Sequence, residues 1–277
     1  MHEGEVISDK YILVRRLGAG GMGEVWLARH QFLNRQVALK FLYPDSLSAC
    51  TKKEIKRLIR DLSFIQRLDH PNIVQVRDFE PYQDSYFIVM DYIDGKDIRN
   101  LITANHLPKT QTQIIYYVTQ ILSALSAAHK HNIIHRNVSP SKIFIDKNGK
   151  VYLSGFIDAV IMDYHYLHNK RLFGTIVYQS IADVDKPNIT TDLYSLGVIM
   201  YEITTGKLPF WGDVELEVKL GFKPPIAPNE INEKITSGLS SIIMKAIQIR
   251  LEKRFQSAEE MAEALETCRN KRKSDNM

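Results

Sequence analysis

The 277-residue sequence predicts an α+β fold in two lobes, the first built on a small antiparallel sheet and the second mostly helical. Three observations predict this division. Runs of β-forming residues separated by glycine fill residues 11–42, a strongly amphipathic helix follows, and beyond residue 94 the apolar residues recur mainly at helical spacing. We therefore expect lobes at residues 1–93 and 94–270, followed by a basic tail at 271–277.

The N-terminal lobe is expected to contain a five-stranded antiparallel sheet and one helix. The predicted strands, all rich in β-branched and aromatic residues, are Tyr11–Leu17, Glu24–Arg29, Gln36–Leu42, Val74–Phe79 and Tyr86–Met90. From Thr51 to Leu68 apolar residues recur at steps of three and four, so they share one helix face. That face is expected to pack on the sheet.

The C-terminal lobe is expected to be helical except for one short hairpin. Its predicted elements are a long helix ending near His131, strands Lys142–Ile145 and Val151–Leu153, a helix from Asp192 to Gly206, and a last helix from Ser257 towards Cys268. The Asn148-Gly149 pair favours a tight turn between the two strands. Ser257 and Glu260 have the spacing of a capping box, which fixes the start of the last helix.

Composition excludes several classes of function. A net charge of +4 and a mean hydropathy of −0.21 are ordinary for a soluble domain and do not indicate nucleic-acid binding. No apolar run approaches the ~20 residues of a membrane span. Cys50 and Cys268 are far apart and lack metal-ligand spacing, which favours free thiols in a reducing compartment. The sequence therefore predicts a cytoplasmic location.

A glycine-rich segment lies between two predicted strands, at Gly18–Val25. Glycines in such a hairpin let backbone amides approach phosphate oxygens, because no Cβ stands in the way. The next strand, Val37–Lys40, carries a lysine into an apolar interior. Since a buried lysine needs an anion, the two segments together predict a phosphate site, although the glycine segment alone would fit any tight hairpin.

Further motifs follow in a fixed order along the chain. They are His70–Val74, Phe87–Tyr92, His135-Arg136, Gly174-Thr175, Asp192–Gly197 and Arg254–Ala258. With these motifs the sequence resembles the protein-kinase superfamily, in particular the bacterial serine/threonine kinases, from about Tyr11 to Cys268. The resemblance implies the two-lobed protein-kinase fold and an adenine-nucleotide site.

The resemblance also assigns residues to that site. Met90 is expected to be the gatekeeper, Asp91–Ile93 the hinge beside adenine, and Asp61 a shorter acid where the family has a glutamate that holds Lys40, with Glu54 as its less favoured substitute. The full set of expected nucleotide-site residues is Leu17, Gly18, Ala19, Gly20, Gly21, Gly23, Val25, Ala38, Lys40, Asp61, Met90, Asp91, Ile93 and Phe144. Ordinary core packing would also explain Val25, Ala38, Met90 and Phe144.

The sequence departs from the family pattern at its chemical positions. Asn137 stands where the resemblance places the catalytic base, and Lys142 and Gly155 stand where it places the two metal ligands. An amide is no base near neutral pH, and an ammonium repels Mg²⁺. Ser139 stands where the resemblance places a lysine, two residues after the base. Asp158 is close in sequence to Gly155, but we expect it on the far side of Phe156, away from the site.

The segment that precedes Asp192 also departs from the pattern. Ser180-Ile181-Ala182 replaces the Ala-Pro-Glu frame, so Arg254 loses its expected glutamate and should face solvent or find another acid. Between Gly155 and Ala182 the only threonine is Thr175 and the only serine is Ser180. Activation by loop phosphorylation is therefore not expected, although Arg136, which would contact such a phosphate, is present.

These departures predict a pseudokinase, a kinase-fold signalling or scaffold protein without competent catalytic residues. It is expected to bind a protein partner, and ATP weakly or without Mg²⁺, with no metal site and no nucleic acid. One alternative is an active atypical serine/threonine kinase or a nucleotidyl transferase with rearranged residues. Another is an interaction module that binds no nucleotide, in which side chains near Gly155 and Ile157 fill the pocket and Phe144 adds bulk below it.

Overall fold

The structure is a computed structural model of the chain, and it describes residues 1–44, 51–104, 106, 108, 110–158, 160–161, 178, 187–210 and 224–275. The chain divides into two compact units. The first unit comprises Met1–Asp94 with Gly155–Gly174, and the second comprises Gly95–Ser154 with Thr175–Met277.

The first unit is built on an antiparallel sheet of six strands. They are β1 (Val6–Ile7), β2 (Tyr11–Gly20), β3 (Gly23–His30), β4 (Arg35–Leu42), β5 (Val76–Tyr82) and β6 (Ser85–Asp91). Their order across the sheet is β1-β2-β3-β4-β6-β5. The prediction of five strands was wrong by one, because β1 is only two residues long and shows no alternation, although Ile7 is buried.

One face of this sheet carries a cluster of buried apolar side chains. Its members are Ile7, Tyr11, Leu13, Trp26, Ala28, Val37, Leu39, Phe41, Phe87 and Val89. The Phe41 and Phe87 rings stack with their centroids 5.5 Å apart. Because side chains alternate along a strand, this cluster leaves every second residue of β3, β4 and β6 for the opposite face.

The helix of the first unit, α1 (Lys52–Gln66), begins at an N-cap. The Thr51 hydroxyl accepts from the Glu54 amide at 3.3 Å, and the Glu54 carboxylate accepts from the Thr51 amide at 2.8 Å. This capping box satisfies two amides that the first turn leaves without partners. Leu58, Leu62 and Ile65 are buried, so the predicted amphipathic helix is confirmed, but Ile59, which was expected on the same face, is exposed.

The second unit is mostly helical, as predicted. Its helices are α2 (Ile98–Thr103), α3 (Gln111–Lys130), α4 (Ile189–Thr205), α5 (Pro228–Ile231), α6 (Ser237–Ala246) and α7 (Ala258–Asp275). The hairpin is confirmed as β8 (Ile143–Asp146) and β9 (Val151–Leu153), and β7 (Gly95–Asp97) adds a third strand beside β8.

Helix α4 is the buried core of this unit, since every residue from Thr190 to Thr204 is buried. The helix begins three residues before the predicted Asp192 because Asn188 caps it, and it ends as predicted at Gly206. At the start of α7 the Ser257 hydroxyl accepts from the Glu260 amide at 3.1 Å, as the capping pattern predicts. Among the described residues, no helix combines the length and the apolar composition needed to cross a bilayer.

Candidate functional site

The strand register brings four predicted nucleotide-site residues to one face of the sheet. Val25 of β3 lies opposite Lys40 of β4, and Ala38 of β4 lies opposite Met90 of β6. Directly opposed residues point to the same face, and Ala38 and Lys40 are two apart on one strand. We call the face formed by Val25, Ala38, Lys40 and Met90 the lysine face. It is the side of the sheet opposite the buried apolar cluster that contains Phe41 and Phe87.

The glycine-rich segment is a tight hairpin at one end of the lysine face. Gly20 pairs with Gly23, so Gly21 and Met22 form the turn. A Cβ added at Gly23 would lie 1.9 Å from the Phe41 carbonyl oxygen, whereas Cβ atoms added at Gly18 and Gly20 would meet nothing within 4 Å. Gly23 is therefore required by packing, and Gly18 and Gly20 leave open space beside exposed backbone.

Lys40 forms a buried ion pair with Asp158. Lys40 Nζ donates to Asp158 Oδ1, and both side chains are almost fully buried. Asp158 belongs to the same compact unit, through the segment that begins at Gly155. The expectation that Asp158 lies away from the site is wrong.

The sequence contained one indication of this pairing. Asp158 is the only charged residue in the apolar run from Phe156 to Met162. An acid in such a run is expected to be buried only with a partner, and a buried lysine on β4 needs an anion. The motif position favours Asp61 instead, which lies half-buried on α1 and whose pairing with Lys40 stays a prediction.

The backbone turn at Gly155 carries Asp158 into the interior. Gly155 has a φ of 100°, a left-handed conformation that favours glycine over aspartate. Phe156 and Ile157 are buried, and the Asp158 amide donates to the Gly155 carbonyl at 2.9 Å. Glycine thus suits the backbone at the very position where the resemblance places a metal-binding carboxylate.

The Asp91 carboxylate is held by two arginines. Arg77 donates to it from Nε at 2.8 Å and from a terminal nitrogen at 2.7 Å, and Arg35 donates to the same carboxylate. The Asp91 amide donates to the Gln75 carbonyl at 3.0 Å. Any contact of Asp91 with adenine would therefore use its carbonyl group rather than its side chain.

The remaining predicted residues of the first unit lie at the edges of the sheet. Leu17 is half-buried near the end of β2, and Ala19 is exposed beside the glycine turn. Ile93 is half-buried in the segment that follows β6. Phe144 belongs to the second unit, where it is half-buried in β8 opposite Tyr152.

The second unit contains the segment His135–Lys142, which we call the 135–142 loop. Its start is fixed by Asp192 of α4, a fully buried residue. The Asp192 carboxylate accepts from the amides of His135 at 2.9 Å and Arg136 at 2.7 Å, and it lies 2.8 Å from His129 Nε2. These contacts stabilise Arg136 at a φ of 60°, a conformation that few non-glycine residues adopt.

At the positions where the resemblance places the catalytic base and one metal ligand, this loop has Asn137 and Lys142. Asn137 and Ser139 are buried, and the Lys142 carbonyl accepts from the Ser154 amide at 2.8 Å. Burial lowers the pKa of Arg136, and the nearby Asp192 carboxylate opposes that shift. Thr175, Ser180, Ile181 and Ala182 lie outside the described residues. The loop backbone is thus held in place while its side chains include no carboxylate.

Arg254 contradicts the expectation of a solvent-facing side chain, and its pairing with another acid stays a prediction. It is only 1% exposed, and it donates from Nε to the Gln248 carbonyl at 2.6 Å and from a terminal nitrogen to the Ile249 carbonyl at 3.0 Å. Its guanidinium also lies over the Tyr194 ring, 4.5 Å from the centroid. Backbone carbonyls and a ring face can satisfy an arginine because it has five donors and a planar cation.

The described donor set includes groups that can bind phosphate oxygens. Phosphate oxygens can accept hydrogen bonds from the backbone amides beside Gly18 and Gly20 and from the ammonium group of Lys40, which all belong to one sheet. The three positions where the resemblance places a base and metal ligands offer an amide, an ammonium and no side chain. In the described part of the chain, no three His, Cys, Asp or Glu side chains are grouped to hold a metal ion. The carboxylate of Asp158 contacts Lys40.

Comparison with known proteins gives consistent findings. The family model "Protein kinase domain" matches residues 11–267. The chain is 32% identical over 270 residues to serine/threonine-protein kinase PrkC of Bacillus subtilis, and 35% identical over 265 residues to serine/threonine-protein kinase PknB of Mycobacterium leprae. These matches cover 96% and 92% of this chain but only 41% and 42% of those proteins.

Among solved structures, the kinase domain of Mycobacterium tuberculosis PknI is similar in fold. The TM-score is 0.73 at 24% sequence identity, and the match covers 96% of this chain and 98% of that one. This likeness supports the fold assignment alone. The chain spans about two fifths of the length of the curated relatives it matches.

Proposed function

The chain belongs to the protein kinase domain family, and from that premise we propose that it is a pseudokinase, a kinase-fold scaffold that binds adenine nucleotide without transferring phosphate. One observation carries the proposal. Asp192 holds the backbone of the 135–142 loop, yet the loop presents Asn137 and Lys142 at its chemical positions. This arrangement supports a kinase scaffold that lacks the catalytic base and the metal-binding side chains.

The missing acids correspond to large losses in rate. Loss of a general base costs about 10² to 10⁴ in rate, and loss of a metal ion removes several kcal/mol of charge stabilisation. Asn137 accepts no proton, and Lys142 adds a positive charge where a cation would otherwise bind. Together these changes support negligible phosphoryl transfer, although the two penalties need not add.

Nucleotide binding rests on the lysine face and the glycine hairpin. Bound nucleotide would supply phosphate oxygens as counter-ions for Lys40, next to the open backbone at Gly18 and Gly20. Asp158 already neutralises Lys40, so a phosphate must compete with an internal carboxylate. We therefore propose weak binding that does not need Mg²⁺, in a protein that acts through a protein partner in the cytoplasm.

The Lys40–Asp158 pair also favours a second candidate. Carboxylates are the ligands that Mg²⁺ prefers, and Asp158 is a buried carboxylate beside the lysine that would contact phosphate. An active atypical kinase or a nucleotidyl transferase with Asp158 as a rearranged ligand would fit this geometry. The similarity to proteins named serine/threonine-protein kinases is also consistent with an active enzyme.

Titration of the wild-type chain and Asp158→Asn with ATP, with Mg²⁺ or with EDTA, separates the two candidates. The pseudokinase predicts that binding survives EDTA and tightens in Asp158→Asn, because the competing carboxylate is removed. The atypical enzyme predicts the reverse, with binding lost in EDTA and in the variant. Binding of neither form at millimolar ATP would leave a protein-interaction module.

A transfer assay completes the test. Wild-type chain is incubated with γ- and α-labelled ATP, and Asp158→Asn is the matched control. Label incorporated by the wild type and lost in the variant would overturn the pseudokinase proposal. Absence of incorporation from either label, together with ATP binding in EDTA, supports it.

A further inference from the structure

The outward face of α1 carries an unusual concentration of positive charge. Five cationic residues of this helix and its C-cap are exposed, namely Lys53, Lys56, Arg57, Arg60 and Arg67. In the part of the chain that the structure describes, none of these five side chains forms a salt bridge. Elsewhere in the same unit, Lys10 pairs with Glu80 and Arg16 with Glu24.

These residues form a narrow stripe rather than a broad patch. Positions 53, 57, 60, 64 and 67 follow one another at steps of four and three, which keeps them on one side of a helix with 3.6 residues per turn. The stripe is roughly 21 Å long at 1.5 Å per residue. Lys56 lies beside it, and we call these six positions the cationic stripe.

An aromatic side chain stands within the stripe. Phe64 is 52% exposed, and the Arg67 guanidinium carbon lies 5.8 Å from the centroid of its ring. The buried side of α1, with Leu58, Leu62 and Ile65, already packs within the unit, so Phe64 is not part of that core. An exposed aromatic flanked by arginines is the composition of a binding hot spot.

We propose that the cationic stripe is a docking surface for an acidic helical segment of a protein partner. A partner helix that repeats carboxylates at steps of three and four, with one apolar residue for Phe64, matches the stripe in spacing and charge. The inference rests on the scaffold part of the proposed function and does not depend on nucleotide binding.

The borders of the stripe favour a narrow partner over a planar one. Glu54 and Asp61 lie on one flank of the helix, and the exposed Asp69 follows its end. A flat anionic membrane would bring lipid phosphates against these acids as well as against the stripe. A single helix lying along the stripe contacts the cations and avoids the acids.

Fluorescence anisotropy with the full chain and no nucleotide tests the proposal. The probe is a labelled peptide of about 15 residues, glutamate-rich at helical steps with one central leucine, and a scrambled peptide of equal composition is the control. We expect Arg57→Glu with Arg60→Glu to raise the Kd at least about tenfold. The matched pair Lys147→Glu with Lys234→Glu, exposed and on the second unit, changes net charge equally and should change the Kd less than about twofold.

Two further variants test the role of the aromatic residue. Phe64→Ala should raise the Kd roughly fivefold, because the central apolar contact is lost. Ile59→Ala should leave it unchanged, since Ile59 is exposed on the same helix but lies off the stripe. All four substituted positions of the first unit are exposed, and thermal unfolding checks that each variant folds.

Several outcomes would overturn the proposal. They are no binding of the helical peptide, equal binding of the scrambled peptide, or equal losses in the two charge-reversed pairs. Tighter binding of phosphatidylserine vesicles or of duplex DNA than of the peptide, abolished by Arg57→Glu with Arg60→Glu, would assign the stripe to a membrane or a nucleic acid instead. Because nucleotide is omitted, none of these results bears on ATP binding.

Discussion

The lysine face and the 135–142 loop differ in which features of the kinase pattern they contain. On the lysine face the chemical group remains, since Lys40 is present, and its counter-ion comes from Asp158. In the loop the backbone frame remains, since Asp192 still holds the amides of His135 and Arg136, and the side chains differ. Buried contacts that shape the backbone are therefore separable from the groups that perform chemistry.

The strongest test of this comparison is Asp192→Ala. The substitution removes the buried carboxylate that accepts from the amides of His135 and Arg136 and contacts His129, and such losses cost about 3–5 kcal/mol when a buried charged group is involved. Urea unfolding should show this loss. The exposed Asp94→Ala, as control, should change the free energy of unfolding by about 0.5 kcal/mol or less. A loss for Asp192→Ala as small as the control's would mean that other contacts hold the loop.

The lysine face has its own test in a double-mutant cycle on Lys40 and Asp158. Each single change, Lys40→Met or Asp158→Leu, removes one member of a buried ion pair and should cost about 3–5 kcal/mol. The double variant removes both charges, so its loss should fall short of the sum by roughly 2 kcal/mol. Additive losses in urea unfolding would show that the two side chains do not depend on each other.

Sequence patterns predicted the parts of this fold that repeat. The five predicted strands and the three-four spacing of α1 were confirmed, because both follow from local composition and geometry. The two-residue β1 was missed since it has no period. The longer elements could therefore be predicted from the sequence, whereas the shortest strand could not.

Pairings across long separations were harder to predict. Lys40 was expected to need an anion, but its partner lies 118 residues away and outside the motif position that usually supplies it. Arg254 was expected to face solvent or find an acid, and the structure buries it and directs two of its donors to backbone carbonyls. A residue's need for a partner is local information, whereas the partner's identity depends on packing.

The glycine hairpin offers a smaller effect that tests the edge of the lysine face. Gly23→Ala places a Cβ against the Phe41 carbonyl, a backbone atom that cannot move aside, so it should cost about 1–3 kcal/mol. Gly20→Ala meets open space and should cost about 0.5 kcal/mol or less. Thermal unfolding of both variants checks this, and equal effects would contradict the separate roles of packing and open backbone.

The smallest expected effect concerns Glu259, an exposed carboxylate in the same unit as the buried Asp192. The Ser126 hydroxyl donates to Glu259 at 2.6 Å, and this bond, aided by Lys130, lowers the pKa of Glu259 from 4.5 to about 2. Because the folded-state pKa lies below the unfolded value, the contribution is complete above pH 4.5 and is lost as the pH falls through 2. Glu259 is about half exposed, so solvent screening limits that contribution to about 0.5–1 kcal/mol.

Glu259→Gln should therefore be less stable than the wild type at pH 7 and equal to it near pH 2, in urea unfolding at both pH values. Glu263→Gln is the matched control, since it lies exposed on the same helix and its carboxylate forms no salt bridge among the described residues. A difference that persists at pH 2 would mean that the glutamine disturbs packing rather than removing a charge. A difference that vanishes there shows that a surface carboxylate acts through its charge, whereas Asp192 acts by holding the backbone.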